Sequence, residues 1–219
     1  AGCYGINGAD TVSYDAAVID VVAVEHLSVA AGEGKDTLTV TGASVSGSID
    51  LLGEGGEDFI AVTYPMSTGT LTVDGGSETD ALGLTLGDGD DVVTLTGTAV
   101  TVMGSAGAQY ANFETLTLDT FDGADIVAVN GTHAGSTFVN TGKDADTVTV
   151  QQINSDFTLD AGDDADTVNV QAIGATALIQ LGAGDDIANV SSSAPAGGHL
   201  EGITVPFLIV GGIASATIS

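Results

Sequence analysis

Residues 25–42, EHLSVAAGEGKDTLTVTG, align without a gap on residues 114–131, ETLTLDTFDGADIVAVNG. A chain similar to itself over such a length is built from repeats, and the rest of the sequence extends the pattern. The shared core is an acidic, glycine-rich turn that closes on an aspartate and is followed by a strand. The closing, or anchor, aspartates are Asp10, Asp36, Asp58, Asp80, Asp91, Asp125, Asp146, Asp166 and Asp186. Two residues beyond them stand Val12, Leu38, Ile60, Leu82, Val93, Val127, Val148, Val168 and Ala188. Four beyond stand Tyr14, Val40, Val62, Leu84, Leu95, Val129, Val150, Val170 and Val190. Apolar side chains at period two in every repeat mark a strand with one buried face. A second alternating strand precedes most turns, as in Leu27/Val29, Ile49/Leu51, Leu71/Val73, Leu116/Leu118 and Phe157/Leu159.

The anchors lie 26, 22, 22, 11, 34, 21, 20 and 20 residues apart. A return of such constant length suits a solenoid coil, which an antiparallel hairpin array would not need. The intervals of 11 and 34 together span two coils, so either the Asp91 turn sits on the opposite edge of its coil or Val100 to Ala111 form an extra strand and loop. No long stretch shows a 3.6-residue period, and Val, Thr and Gly dominate, which disfavours helix. The expected fold is all-β: a right-handed parallel β-solenoid of the narrow β-roll type, with about eight coils over residues 1–200. A β-sandwich is its structural competitor. Residues 203–219, ITVPFLIVGGIASATIS, carry no charge, so segment 201–219 is expected as a cap or an inter-subunit strand.

Composition narrows the function. Against 30 Asp+Glu the 219 residues hold 2 Lys+Arg, Lys35 and Lys143, for a net charge of −28. Nucleic acid and anionic membrane surfaces are excluded as partners, because neither lysine can supply a basic stripe. An apolar content of 43% still lets the chain bury a core. The apolar C-terminal segment is too short and too interrupted by Gly and Pro for membrane insertion. A single cysteine, Cys3, excludes an intramolecular disulfide, and zinc or haem sites lack their Cys/His clusters. The chain opens without a basic and apolar leader, which fits either a cytosolic protein or a mature secreted one, and composition favours a secreted protein at the cell surface.

The turns read NGAD (7–10), GEGKD (32–36), GEGGED (53–58), GGSETD (75–80), GDGDD (87–91), FDGAD (121–125), GKDAD (142–146), GDDAD (162–166) and GAGDD (182–186). They resemble the calcium-binding RTX nonapeptide repeat, whose G-x-D-x-U core is matched from Gly8, Gly34, Gly56, Gly89 and Gly123 and loosely at Gly184. Asp144 and Asp164 replace that glycine in two turns, and one motif occurs per coil of about 22 residues, whereas RTX repeats recur every nine. The resemblance implies Ca2+, with Asp10, Asp36, Asp58, Asp80, Asp88, Asp90, Asp91, Asp122, Asp125, Asp144, Asp146, Asp164, Asp166, Asp185 and Asp186 as candidate ligands. Physical chemistry points the same way: a ladder of carboxylates ~5–6 Å apart repels itself, and calcium takes six to eight hard oxygens.

Catalysis is not expected. Enzymes acting on acidic polysaccharides need Arg or Lys to stabilise developing charge, arginine is absent, and His26, His133 and His199 share no repeat position. Ice binding and an adhesin module are the alternatives, although Phe59/Ala61, Ala81/Gly83, Ile126/Ala128 and Ile187/Asn189 interrupt any threonine array. The expected role is a calcium-stabilised subunit of an extracellular fibre or matrix that assembles with itself head to tail, since non-closing end contacts make filaments. A surface glycan is the other expected partner, and the triplets at Asn130 and Asn189 allow glycosylation.

Overall fold

The computed structural model describes residues 3–7, 11–14, 17–20, 25–41, 47–64, 69–200, 202–211 and 215–218. Before residue 25 and after residue 211 only strand backbone is described. The described elements are strands and turns. In chain order the strands are β1 Cys3–Asn7, β2 Thr11–Tyr14, β3 Ala17–Asp20, β4 His26–Glu33, β5 Thr37–Thr41, β6 Ser48–Gly55, β7 Phe59–Thr63 and β8 Thr70–Asp74. There follow β9 Ala81–Thr85, β10 Val92–Leu95, β11 Ala99–Val102, β12 Ala108–Ala111, β13 Thr115–Asp119, β14 Ile126–Val129, β15 Ser136–Asn140 and β16 Thr147–Val150. The last are β17 Phe157–Asp160, β18 Thr167–Val170, β19 Ala177–Gly182, β20 Ile187–Val190, β21 Phe207–Gly211 and β22 Ser215–Ile218.

Two compact units share this chain: Ala1–Leu86 with Thr98–Thr117, and Gly87–Gly97 with Leu118–Ser219. In the first unit β1, β5, β7 and β9 pair in parallel as one sheet, and β4, β6, β8 and β12 as a second. Strands β2 and β3 fold back antiparallel beside β1, and β11 lies antiparallel to β12. In the second unit β15, β17, β19 and β21 form one parallel ladder, and β10, β14, β16, β18, β20 and β22 the other. The C-terminal segment therefore supplies one strand to each ladder.

This is a parallel β-solenoid of about seven turns. It has fewer turns than the sequence suggests because the Asp10 interval, whose aspartate lies outside the described residues, joins antiparallel β1 and β2, and because a single strand, β9, separates Asp80 from Asp91. The irregular spacing has its counterpart in extra strands. In the first unit the turns of Asp36, Asp58 and Asp80 precede β5, β7 and β9 of the first sheet, whereas the Asp91 turn precedes β10, which pairs with β14 in the second unit. Residues 99–111 add the antiparallel pair β11 and β12.

Parallel, in-register pairing puts equivalent residues of successive coils side by side, as in Val127↔Val148↔Val168↔Ala188. The period-two apolar residues thus become continuous interior columns. Leu38, Val40, Ile60, Val62, Leu82, Leu84, Val93, Leu95, Val127, Val129, Val148, Val150, Val168, Val170, Ala188 and Val190 are all buried. Val12 and Tyr14 have no described side-chain placement. Of the opposing set, Leu27 alone is half-buried, at one end of its sheet. Ile153 and Ile173, in the return segments, add a column that the strand pattern did not announce.

Each such side chain contributes about 1.5–3 kcal/mol through removal from water. Replacing fully buried Leu159 by Ala is expected to cost about 2–5 kcal/mol in denaturant unfolding, against less than about 0.5 kcal/mol for Ala at its outward neighbour Thr158.

Candidate functional site: the stacked acidic turns

Six of the acidic turns repeat one backbone conformation. The residues four and two before the anchor have positive φ in the pairs Gly32/Gly34, Glu54/Gly56, Gly76/Glu78, Phe121/Gly123, Gly142/Asp144 and Gly162/Asp164. That is the physical content of the recurring Gly-x-Gly-x-Asp pattern, since glycine reaches this region without a Cβ penalty. Stacking tightens the demand. A Cβ on Gly162, at φ +95°, would lie 1.8 Å from the carbonyl oxygen of Gly142 in the adjacent coil.

The turns also bond to one another through their backbones. Lys143 N–H donates to Phe121 O, Asp163 to Gly142 O, Gly123 to Lys143 O, Ala183 to Gly162 O and Asp164 to Ala183 O. Inter-coil pairing therefore continues round the bend instead of stopping at the strand ends, and it occupies the carbonyls that a free glycine turn would offer a cation.

The anchors point inward. Asp36, Asp58, Asp80, Asp125, Asp146, Asp166 and Asp186 are at most 3% exposed, and Asp91 is half-buried. Each buried carboxylate beyond the first accepts a hydrogen bond from the backbone N–H of the anchor one coil earlier. In the first unit Asp36 N donates to Asp58 Oδ1 at 2.8 Å, and Asp58 N to Asp80 Oδ1 at 2.8 Å. In the second, the donors Asp91, Asp125, Asp146 and Asp166 reach Asp125, Asp146, Asp166 and Asp186 Oδ1 at 2.8, 2.8, 2.9 and 3.0 Å. The anchors thus form two columns, one per unit, where the sequence reading had treated them as a single series.

The first column has a rung that sequence reasoning missed. Asp80 N–H donates to Glu114 Oε2 at 2.7 Å. The signal was present: Leu116 and Leu118 stand two and four residues beyond Glu114, as after every anchor, but a search for aspartate passes over it.

One carboxylate oxygen is satisfied and the other is not. Oδ2 of Asp58, Asp80, Asp125, Asp146, Asp166 and Asp186 is buried with no hydrogen-bond partner. Burial accordingly pushes the carboxyls of Asp58, Asp80, Asp91 and Asp146 above the ordinary range, that of Asp125 to about 6 and that of Asp166 to about 7. Neighbouring anchors reinforce the rise at Asp58, Asp80, Asp125 and Asp166, and the donated N–H opposes it, at Asp125 after the Thr120 side chain.

The other candidates form an outer row: Asp88, Asp90, Asp144, Asp164 and Asp185 are exposed and Asp122 half-buried. Asp90 Oδ1 accepts from Ala124 N–H, and Asp164 Oδ2 from Asp144 N–H. Both lysines join coils here, Lys143 to Asp122 at 3.0 Å and Lys35 to Glu57 at 3.6 Å. Such exposed pairs contribute little to stability. Asp10 lies outside the described residues.

In the anchor columns Oδ1 and several turn carbonyls accept hydrogen bonds between coils, while Oδ2 of six buried acids has no hydrogen-bond partner. Among the described residues, no three His, Cys, Asp or Glu side chains are grouped to hold a metal, and no helix is long and apolar enough to cross a membrane. No protein-family model matches the chain, and no curated protein matches it.

The raised carboxyls set the sign of the pH dependence. Their folded values exceed the ordinary 3.8, so their stabilisation is complete below about pH 4 and is lost as pH rises through 6 to 7. In EDTA, the melting temperature should fall from pH 5 to pH 8; a rise over that interval would contradict the assignment. Gly162→Ala should lower stability by at least about 2 kcal/mol, measured in the same buffer by denaturant titration.

Proposed function

We propose that this protein is a structural β-solenoid of the extracellular surface, a subunit that assembles with further copies of itself end to end into a fibre or matrix. The observation carrying this reading is the incompletely covered apolar face of β21. In β21 the inward-facing Phe207 and Ile209 remain half-buried, whereas Ala177 and Ile179, which pair with them in β19, are at most 3% exposed. Among the described residues, β21 and β22 each pair on one side, with β19 and β20. Unpaired edge backbone invites an added strand, and a strand laid on β21 would complete the burial of Phe207 and Ile209.

Calcium enters this reading as a counter-ion for the outer acids Asp88, Asp90, Asp122, Asp144, Asp164 and Asp185, easing repulsion between neighbouring turns in a chain of charge −28. Secretion supplies a calcium-rich setting, and adhesion to a surface glycan is compatible with the same scaffold. The reading requires no catalysis.

A second reading, ice binding, draws on the outward faces of β14, β16, β18 and β20. Ile126/Ala128, Thr147/Thr149, Thr167/Asn169 and Ile187/Asn189 bear no charge and lie in register. Ile126 and Ile187 are 51% and 44% exposed and break the threonine rows.

Sedimentation velocity and negative-stain microscopy at rising concentration, with calcium and with EDTA, test the main reading. End-to-end oligomers that lengthen in calcium and vanish in Ile209→Lys are expected. A monodisperse monomer throughout would refute assembly, and thermal hysteresis from that monomer would favour ice.

A further inference from the structure

We propose that the buried acid columns are positioning ladders that fix coil register through one side-chain acceptor each, so that an amide can replace each acid and any metal stays outside them. The inference rests on the fold and holds whether or not the protein assembles.

The geometry separates acceptor from charge. Along Asp125, Asp146, Asp166 and Asp186 the one oxygen in use receives an uncharged backbone N–H, and the second lies buried without a partner. A carboxylate gains by this arrangement only what any planar oxygen acceptor would gain, while its charge is held away from water. The charged groups facing the column add no compensation, although the Thr120 hydroxyl favours the ionised form of Asp125 and the Thr141 hydroxyl that of Asp146. Asp58 faces Asp36 and Glu78; Asp80 faces Asp58, Glu78 and Glu114. Asp125 faces Asp91 and Asp146, Asp146 faces Asp144, and Asp166 faces Asp146, Asp164 and Asp186. All are acids. Lys143 is engaged with Asp122, and Lys35 with Glu57.

Glu114 supplies an independent check on what the ladder requires. Where the chain runs 34 residues between rungs, a glutamate delivers the oxygen to Asp80 N–H at 2.7 Å, and Glu114 N–H in turn donates to Asp80 O. Residue type changes, reach changes, and the acceptor stays in place. The selected property is an oxygen at hydrogen-bonding distance from the preceding coil's N–H.

The test compares Asp146→Asn/Asp166→Asn with Asp146→Ala/Asp166→Ala in the full chain at pH 7.5, in calcium and in EDTA. Melting is read by circular dichroism, and the amides of Asp125 and Asp146, which donate to the altered side chains, by hydrogen exchange. The Asn pair should melt at or above the parent in both buffers and keep those two amides protected. The Ala pair should lose their protection by at least tenfold or fail to fold. Glu114→Gln against Glu114→Ala repeats the comparison at the Asp80 amide. Three outcomes overturn the proposal: an Asn pair that does not fold, one that exposes these amides as Ala does, or one that abolishes a calcium-dependent rise in melting shown by the parent. The last would return the columns to the role of metal ligands.

Discussion

In-register parallel pairing of each strand with the strand one coil away governs what this sequence can do. Once Val127 stands beside Val148 and Val148 beside Val168, every position in a coil is multiplied into a column of its own kind. Apolar columns profit, since each side chain is covered by its copies above and below. Acidic columns suffer, because like charges are brought to strand spacing. The chain's charge is therefore tolerable only if the turns provide donors, separation or counter-ions.

The turns supply donors from the backbone. By running inter-coil hydrogen bonds round the bend, they leave the anchor N–H directed at the next coil's carboxylate, and the acid becomes an acceptor inside a ladder. The same close stacking makes glycine obligatory at Gly162, where the neighbouring carbonyl occupies the space of a Cβ. Glycine pattern and aspartate burial are two consequences of one tight, stacked bend. The acids left outside that bend, such as Asp144 and Asp164, retain solvent and are where counter-ions can gather.

Much of the solenoid was legible because it rests on local chemistry repeated many times. Alternation identified the interior residues of β5, β7, β9, β14, β16, β18 and β20, and the 11- and 34-residue intervals marked the place where β11 and β12 interrupt the coil. The site was less legible. Asp146 and Asp144 look alike as candidate ligands in GKDAD, yet one is buried in a ladder and the other is exposed at positive φ. Glu114 escaped notice because its role depends on Asp80, which the chain brings near only after the intervening excursion.

By itself the sequence determined the period, the strand faces, the turn residues and the absence of basic charge, since these follow from steric preference, hydrophobicity and composition acting over a few residues. Tertiary structure alone decided that the anchors fall into two columns, that their carboxylates turn inward, and that turn carbonyls are already occupied. Those outcomes depend on which N–H lies across from which oxygen about 20 residues away, and a hydrogen bond between coils exists only once both coils are in register.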